Sequence, residues 1–168
     1  TACNLQVGDT FLDCTLGIGS DSLLAAYAVG DNGKVIGVEA DQNVAFIVKN
    51  GMQTYDTTEL PLTSCMRNIK VIHANALEFL KKQDDDSFDV VYMDPMFTEV
   101  IEESTNFEAL RFAGNHLPLT DEWVTEAKRV AKRRVVLKAH YKSDWFERYQ
   151  FQRDVRLTAK FHYGIYIK

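Results

Sequence analysis

The residues best suited to chemistry sit at the end of an apolar run, Tyr92-Met93-Asp94-Pro95-Met96-Phe97. Pro95 denies the residue before it an α conformation, so Asp94 and its neighbouring carbonyls turn outward where the run ends. The Asp94 carboxylate and the Pro95 carbonyl can both accept hydrogen bonds from a planar NH2 group. Phe97 can stack on the base that carries that group. Acceptors around an exocyclic amine orient its nitrogen lone pair toward an electrophile, which is positioning plus electrostatics. Alone, the same six residues read as an Asp-Pro turn with two buried apolar neighbours.

A second constellation opens the chain, Asp13-Cys14-Thr15-Leu16-Gly17-Ile18-Gly19-Ser20-Asp21. Gly17 and Gly19 let the backbone turn tightly and approach a ligand closely. The free amides of a helix starting near Ser20 and Asp21 can then meet a polar group. Twenty residues beyond Gly19, Glu39 ends the next apolar run, where a carboxylate can accept both hydroxyls of a ribose. These two motifs fit NAD and S-adenosylmethionine almost equally. Ser22 replaces the third glycine of a GxGxxG fingerprint, which disfavours a pyrophosphate site. Asn75 and Ala76, after Ile69–His73, can read an adenine edge, and Asn75 can equally cap a short helix.

These residues need a frame that brings run ends together. Strand-like runs at Thr10–Cys14, Lys34–Glu39, Ile69–His73, Phe88–Met93 and Arg134–Lys138 alternate with helical stretches at Asp21–Val29 (capped by Ser20), Gln42–Gln53, Leu77–Lys82 and Asp121–Lys132. Ser143–Tyr149 reads as a further short helix. Alternation of this kind means a parallel sheet with right-handed crossovers, covered on both faces. Val155–Ala159 and Tyr163–Ile167 read as a hairpin-like pair closing it. The expected fold is α/β, a Rossmann-like doubly wound, mostly parallel seven-stranded sheet with an antiparallel strand near the C-terminal end. Ligands bind such sheets outside the carboxyl ends of the strands. That rule places function after Cys14, Glu39, His73, Met93 and Lys138, with Lys138 positioned to contact a substrate phosphate. Thr98–Thr120 has no clean period and reads as a functional loop or lid.

The totals agree with one domain spanning residues 1–168: 46% apolar and 26% charged residues, and no apolar run of membrane-spanning length. Without a signal segment the expected location is the cytoplasm. Cys3, Cys14 and Cys65 are too scattered for a disulfide framework or a metal site, so no metal is expected. Net charge is −5, yet residues 123–168 hold 12 Lys and Arg against 4 Asp and Glu. Such a basic end can steer a polyanion. Lys128, Arg129, Lys132, Arg133 and Arg134 read either as a solvated helix end or as an RNA-facing patch.

With these residues in view, the chain resembles the bacterial class I S-adenosylmethionine-dependent methyltransferases over nearly all its length. Within them it is most similar to the small-subunit rRNA guanine-N2 methyltransferases, whose fourth strand ends in Asp-Pro-Met-Phe-Pro. DCTLGIGSDS, VIGVEAD, HANALEFL, YMDPMF and RVVLKAHY carry the likeness, in order and at matching intervals. The resemblance implies S-adenosyl-L-methionine as cofactor, lying over the turn from Asp13 and Thr15 through Gly17 and Gly19. Its further contacts are Ser20, Asp21, Glu39, Ala40, Asn75, Ala76 and Asp94. It implies Asp94, Pro95 and Phe97 as the catalytic group and a base amine in ribosomal RNA as acceptor. Two departures stand out: Thr98 occupies the place of a second proline, before the acidic Glu99, Glu102 and Glu103. The family also has a region before its first strand, so the resemblance implies that part of substrate recognition lies outside this chain. An NAD-dependent oxidoreductase and a cofactor- or RNA-binding module without catalysis are the competing readings.

Overall fold

In a computed structural model, residues 2–57, 62–95 and 118–168 are described. The chain runs β1 (Thr10–Asp13), α1 (Ser20–Val29), β2 (Lys34–Glu39), α2 (Gln42–Thr54), α3 (Thr63–Arg67), β3 (Ile69–His73), α4 (Ala76–Leu80), β4 (Phe88–Met93), α5 (Asp121–Val130), β5 (Ala131–His140), α6 (Trp145–Arg148), β6 (Gln152–Asp154) and β7 (Phe161–Ile167). These strands form one seven-stranded sheet in the order β3-β2-β1-β4-β5-β7-β6. The first five are parallel, and β7 runs antiparallel between β5 and β6. The expected fold class holds. Among the described residues no helix is long and apolar enough to cross a membrane.

The central strands are apolar on both sides because helices cover both faces. Phe11, Val35, Val90 and Val136 pack under α1 and α2. Leu12, Val91, Val135 and Leu137 pack under α5, with Trp123, Val124, Ala127 and Val130. Full burial of one such Val or Leu contributes about 1.5–3 kcal/mol. Thr120 starts α5 by accepting a hydrogen bond from the Trp123 amide (3.2 Å), and Asp41 starts α2 by accepting from Asn43 and Val44.

Several boundaries differ from the sequence reading. Gly19, not Ser20, occupies the N-cap of α1, in the left-handed region at φ 82°, and Ser20 begins the helix. The polar stretch Thr54–Asn68 contains the short helix α3. The closing pair is β6 and β7, and residues 155–160 form the turn between them. Lys132, Arg133 and Arg134 lie on β5, because the strand starts at Ala131, directly after α5. They sit at its amino end, the opposite rim from the carboxyl ends of β1 to β4. Arg133 pairs with Asp9, Lys132 lies 3.9 Å from Asp89, and Arg134 donates to the Ala2 carbonyl (2.6 Å). Lys128 donates to the Tyr149 carbonyl and Arg129 pairs with Glu126. Each of these cations has a partner within the fold and so braces it, at the rim away from the carboxyl ends of β1 to β4.

Register carries the frame to the site. Asp13 pairs with Gly37 and Tyr92, Glu39 with His73, and Met93 with Leu137. The ends of β1, β2, β3, β4 and β5 thus share one rim, with the change of strand order between β1 and β4 at its centre.

Candidate active site

The turn after β1 is built from beneath. Asp13, 1% exposed, accepts from the Ser22 hydroxyl (2.7 Å), the Thr15 amide (2.9 Å) and the Thr15 hydroxyl (3.3 Å). Burial pushes its carboxyl up to about 7, with the Ser22 and Thr15 hydrogen bonds opposing it and Asp21 and Asp94 adding to it. Asp13 therefore faces into the turn and braces it. Above it, Gly17 has φ 50°, and a Cβ there would meet only the Thr15 carbonyl at 4.0 Å. That is bare backbone facing open space at the strand ends. Gly19 has φ 82°, a left-handed conformation that glycine adopts without strain, and its bare Cα lies against the Met52 methyl of α2.

Glu39 ends β2 within reach of this turn. Its two oxygens accept from the Gly17 amide (2.9 Å) and the Asp41 amide (2.8 Å). Each oxygen keeps a further lone pair, which is the donor-acceptor chemistry a ribose diol requires. The Ala40 carbonyl lies 3.2 Å from His73 Nε2, tying the ends of β2 and β3. Asn75 accepts from the Glu78 amide (3.2 Å), so it caps α4, while Ala76 is buried beneath it. Its place at the end of β3 leaves the adenine role open.

Asp94 is held from two sides. Its amide donates to the Thr15 hydroxyl (2.7 Å), and its Oδ2 lies 2.7 Å from Lys138 Nζ. Lys138 also lies 3.4 Å from Asp21 Oδ2, which accepts from the Tyr92 hydroxyl at 2.9 Å. Burial pushes the Asp94 carboxyl above its ordinary range; the Lys138 ammonium opposes this and Asp21 adds to it. Burial alone would pull Lys138 down, but Asp94, with Asp21 and Tyr163, carries it up to about 12. Burial, then Asp94 and Asp21, likewise keep the Tyr92 phenol far above its ordinary value. The structure thus brings together Asp13, Thr15, Gly17, Asp21, Glu39 and Asp94, with Pro95 buried behind them.

Lys138 corrects one expectation. It does not project toward a substrate phosphate; its ammonium turns inward between two carboxylates, because an ion pair offsets the cost of its partial burial. Phe97 and most of the loop 98–120 lie outside the described residues. Sequence reasoning missed the bridge that Thr15 makes between β1 and β4, and the Tyr92–Asp21–Lys138 chain. Alternation along β4 and β5 hints that Tyr92 and Lys138 flank Asp94, but the distances come only from pairing. Among the described residues, no group of three His, Cys, Asp or Glu side chains is placed to hold a metal ion.

Residues 2–168 match a family described as "Putative SAM-dependent methyltransferase". The chain belongs to the SAM-dependent methyltransferase family. Family and fold together imply S-adenosylmethionine as the cofactor, and choose it over NAD. Over 164 residues the chain is 44% identical to the Bacillus subtilis protein YpiP, covering 98% of this chain and 64% of that one. It is 28% identical to ribosomal RNA small subunit methyltransferase J of Acinetobacter baumannii, covering 80% of this chain and 52% of that protein. The chain thus spans between about half and two thirds of these curated relatives. A SAM-dependent methyltransferase from Aquifex aeolicus shares the fold, with TM-score 0.62, 17% identity, and coverage of 98% and 84% of the two chains.

The bare Gly17 backbone and the Glu39 carboxylate fit the cofactor's dimensions of need: close approach and hydroxyl acceptors. Asp21, at the start of α1, adds a carboxylate suited to an ammonium group.

Proposed function

We propose that this chain transfers a methyl group from S-adenosylmethionine to an exocyclic amine of a base in RNA, and that small-subunit ribosomal RNA is its substrate. The observation that carries the proposal is the placement of Asp94, tied by its amide to the glycine turn and by its carboxylate to Lys138. Family membership supports methyl transfer, and the Acinetobacter relative's name supports the RNA.

In this reading, Glu39 accepts the ribose hydroxyls, Ala40, Asn75 and Ala76 flank the adenine, and Gly17, Gly19, Ser20 and Asp21 hold the amino-acid end. The bound cofactor supplies an activated electrophile, a methyl carbon on a positively charged sulfur. Thr15 sets the backbone of Asp94 beside the glycine turn, so substrate and cofactor sites share one hinge residue. Lys138 occupies Asp94 Oδ2, which leaves Oδ1 and the Pro95 carbonyl to accept the two N–H groups of the amine. Held this way, the nitrogen would keep its lone pair free for the cofactor's methyl group. Once that group has been transferred, with the electron pair of its old bond left on the cofactor's sulfur, the surplus proton would leave the nitrogen through Asp94 to water. Asp94 must be ionised for both tasks, and the Lys138 ammonium favours that form. Phe97 supplies the stacking ring.

The test is labelled methyl transfer to small ribosomal subunits lacking their native modifications, followed by nucleoside analysis. Asp94→Ala should reduce turnover by at least about tenfold while leaving S-adenosylhomocysteine affinity near wild type, since its contact strengthens in the transition state. Label on a ribose hydroxyl or a ring carbon, or full activity without Asp94, overturns the proposal.

A further inference from the structure

Beyond Lys138 the same rim continues into β5, β7 and the turn that precedes β7. His140 and Phe161 are register partners at the end of this antiparallel pair. Their rings meet edge to face at 6.0 Å, and Tyr141 leans on His140 at 4.5 Å. Tyr141 is 42% exposed and Phe161 36%. Two aromatic rings facing water at the edge of an active-site rim call for an occupant. Cations surround them. Lys142 lies over the Tyr141 ring at 5.7 Å, Lys138 lies 6.0 Å from the Phe161 ring, and Arg156 lies over Tyr163 at 5.7 Å. Lys160, exposed, precedes Phe161.

The arrangement is built rather than incidental. The Tyr141 amide donates to the Lys160 carbonyl at 2.9 Å, joining the two edges. Arg153 donates to the Tyr141 carbonyl and, through Nε, to His162 Nδ1 at 3.0 Å. His162, 6% exposed, therefore carries its proton on Nε2, which reaches the Arg156 carbonyl at 3.2 Å. The Arg153–His162 pair, with its histidine buried, thus fixes the turn that presents Arg156, Lys160 and Phe161. Asp144 and Asp154 are exposed nearby and set a limit on the local positive charge. A rim that served only as a solvated edge would gain nothing from exposing rings among lysines.

We propose that this aromatic and basic cluster, centred on Tyr141 and Phe161 with Lys142 and Arg156 beside them, is a binding site for single-stranded RNA. It takes the nucleotides flanking the base presented at Asp94. Stacking on rings combined with cations along the backbone is the chemistry of sequence-tolerant single-strand recognition. Lys138 connects the two sites: its ammonium pairs with Asp94 on one side and faces Phe161 on the other. Lys132, Arg133 and Arg134, read from sequence as possible RNA contacts, lie at the amino end of β5, whereas Tyr141, Lys142, Arg156 and Phe161 lie toward the rim of the catalytic group.

The inference rests on the reading that the substrate is RNA, and the test separates the two. The 168-residue chain is titrated with a fluorescent, short single-stranded oligoribonucleotide of mixed sequence, and with the same sequence as a duplex. Tyr141→Leu and Phe161→Leu keep apolar bulk without a ring face. Each should weaken single-strand binding about tenfold, the loss of one stack, with an unchanged melting temperature. Lys142→Gln with Arg156→Gln should flatten the dependence of affinity on salt. Duplex should bind more weakly than single strand. Leucine variants that bind like wild type overturn the inference, as does equal binding of duplex, or no RNA binding by wild type. Methyl transfer to RNA that is indifferent to both rings sinks this site but leaves the proposed reaction standing. Ring-dependent RNA binding with no methyl transferred to any RNA sinks the reaction but leaves the site.

Discussion

Lys138→Met removes one ammonium and keeps the length and apolar stem of the side chain. In the native rim that ammonium sits 2.7 Å from Asp94 Oδ2 and is the cation opposing the effect of burial on the carboxyl. No other group around Asp94 replaces it: Asp21 on α1 raises the carboxyl further, burial keeps Asp13 beneath the turn largely neutral, and Tyr92 and Tyr163 are neutral phenols. A hydrogen bond to a charged partner contributes about 1.5–3 kcal/mol. The Asp94 side chain is 32% exposed, so water screens part of the pair and the lower end applies. At about 1.4 kcal/mol per factor of ten, proton affinity at Asp94 should rise about tenfold. The sign follows from the chemistry: the acid form can neither hold the amine as an anion through Oδ1 nor take up its surplus proton, so activity falls at low pH and returns as pH rises. The ascending limb of the rate–pH profile should move about one unit upward in the variant. Lys138→Arg, which keeps the charge, should retain the native profile. Carbon-13 NMR of the Asp94 carboxyl in the cofactor-free protein measures the same shift without catalysis. Superimposable carboxyl titrations for native and Met variants would refute the reasoning.

Glu39→Ala should weaken S-adenosylhomocysteine binding by about 1.5–3 kcal/mol in calorimetry, because two hydroxyls lose a charged acceptor; unchanged affinity would remove Glu39 from the ribose site. Asp13 offers a stability test. Its carboxyl rises from 3.8 unfolded to about 7 folded, so its contribution is full below pH 3.8 and is lost as pH climbs through about 7. Asp13→Asn, always neutral, should therefore lose less melting temperature than native protein across that window, and parallel melting curves would contradict the buried acid.

How much of this was legible before any coordinates depended on range. Local signals were reliable: alternating β and α runs, Asn75 capping a short helix, and Asp-Pro ending β4 follow from backbone preferences of a few adjacent residues. Boundaries failed where two neighbours competed. Ala131 and Lys132 read as the last turn of a helix in sequence, yet pairing of Ala131 with Phe88 of β4 draws them onto β5. Ser20 looks like a cap, but the chain enters the helix through a left-handed residue at φ 82°, which favours glycine, and Gly19 takes the cap instead.

The glycine turn, the acid at Glu39 and the Asp94-Pro95 corner were determined by the sequence alone, since each is a short segment whose conformation its own residues dictate. The partnerships were not. Thr15 reaching Asp94, Lys138 turned between Asp94 and Asp21, and His140 meeting Phe161 edge to face all join residues far apart in the chain. Only the order β1-β4-β5-β7 puts them on one rim, because strand order and register set which ends are neighbours. Whether a basic residue faces RNA or braces the fold was decided the same way: charge is a property of the sequence, but which end of a strand it occupies belongs to the sheet.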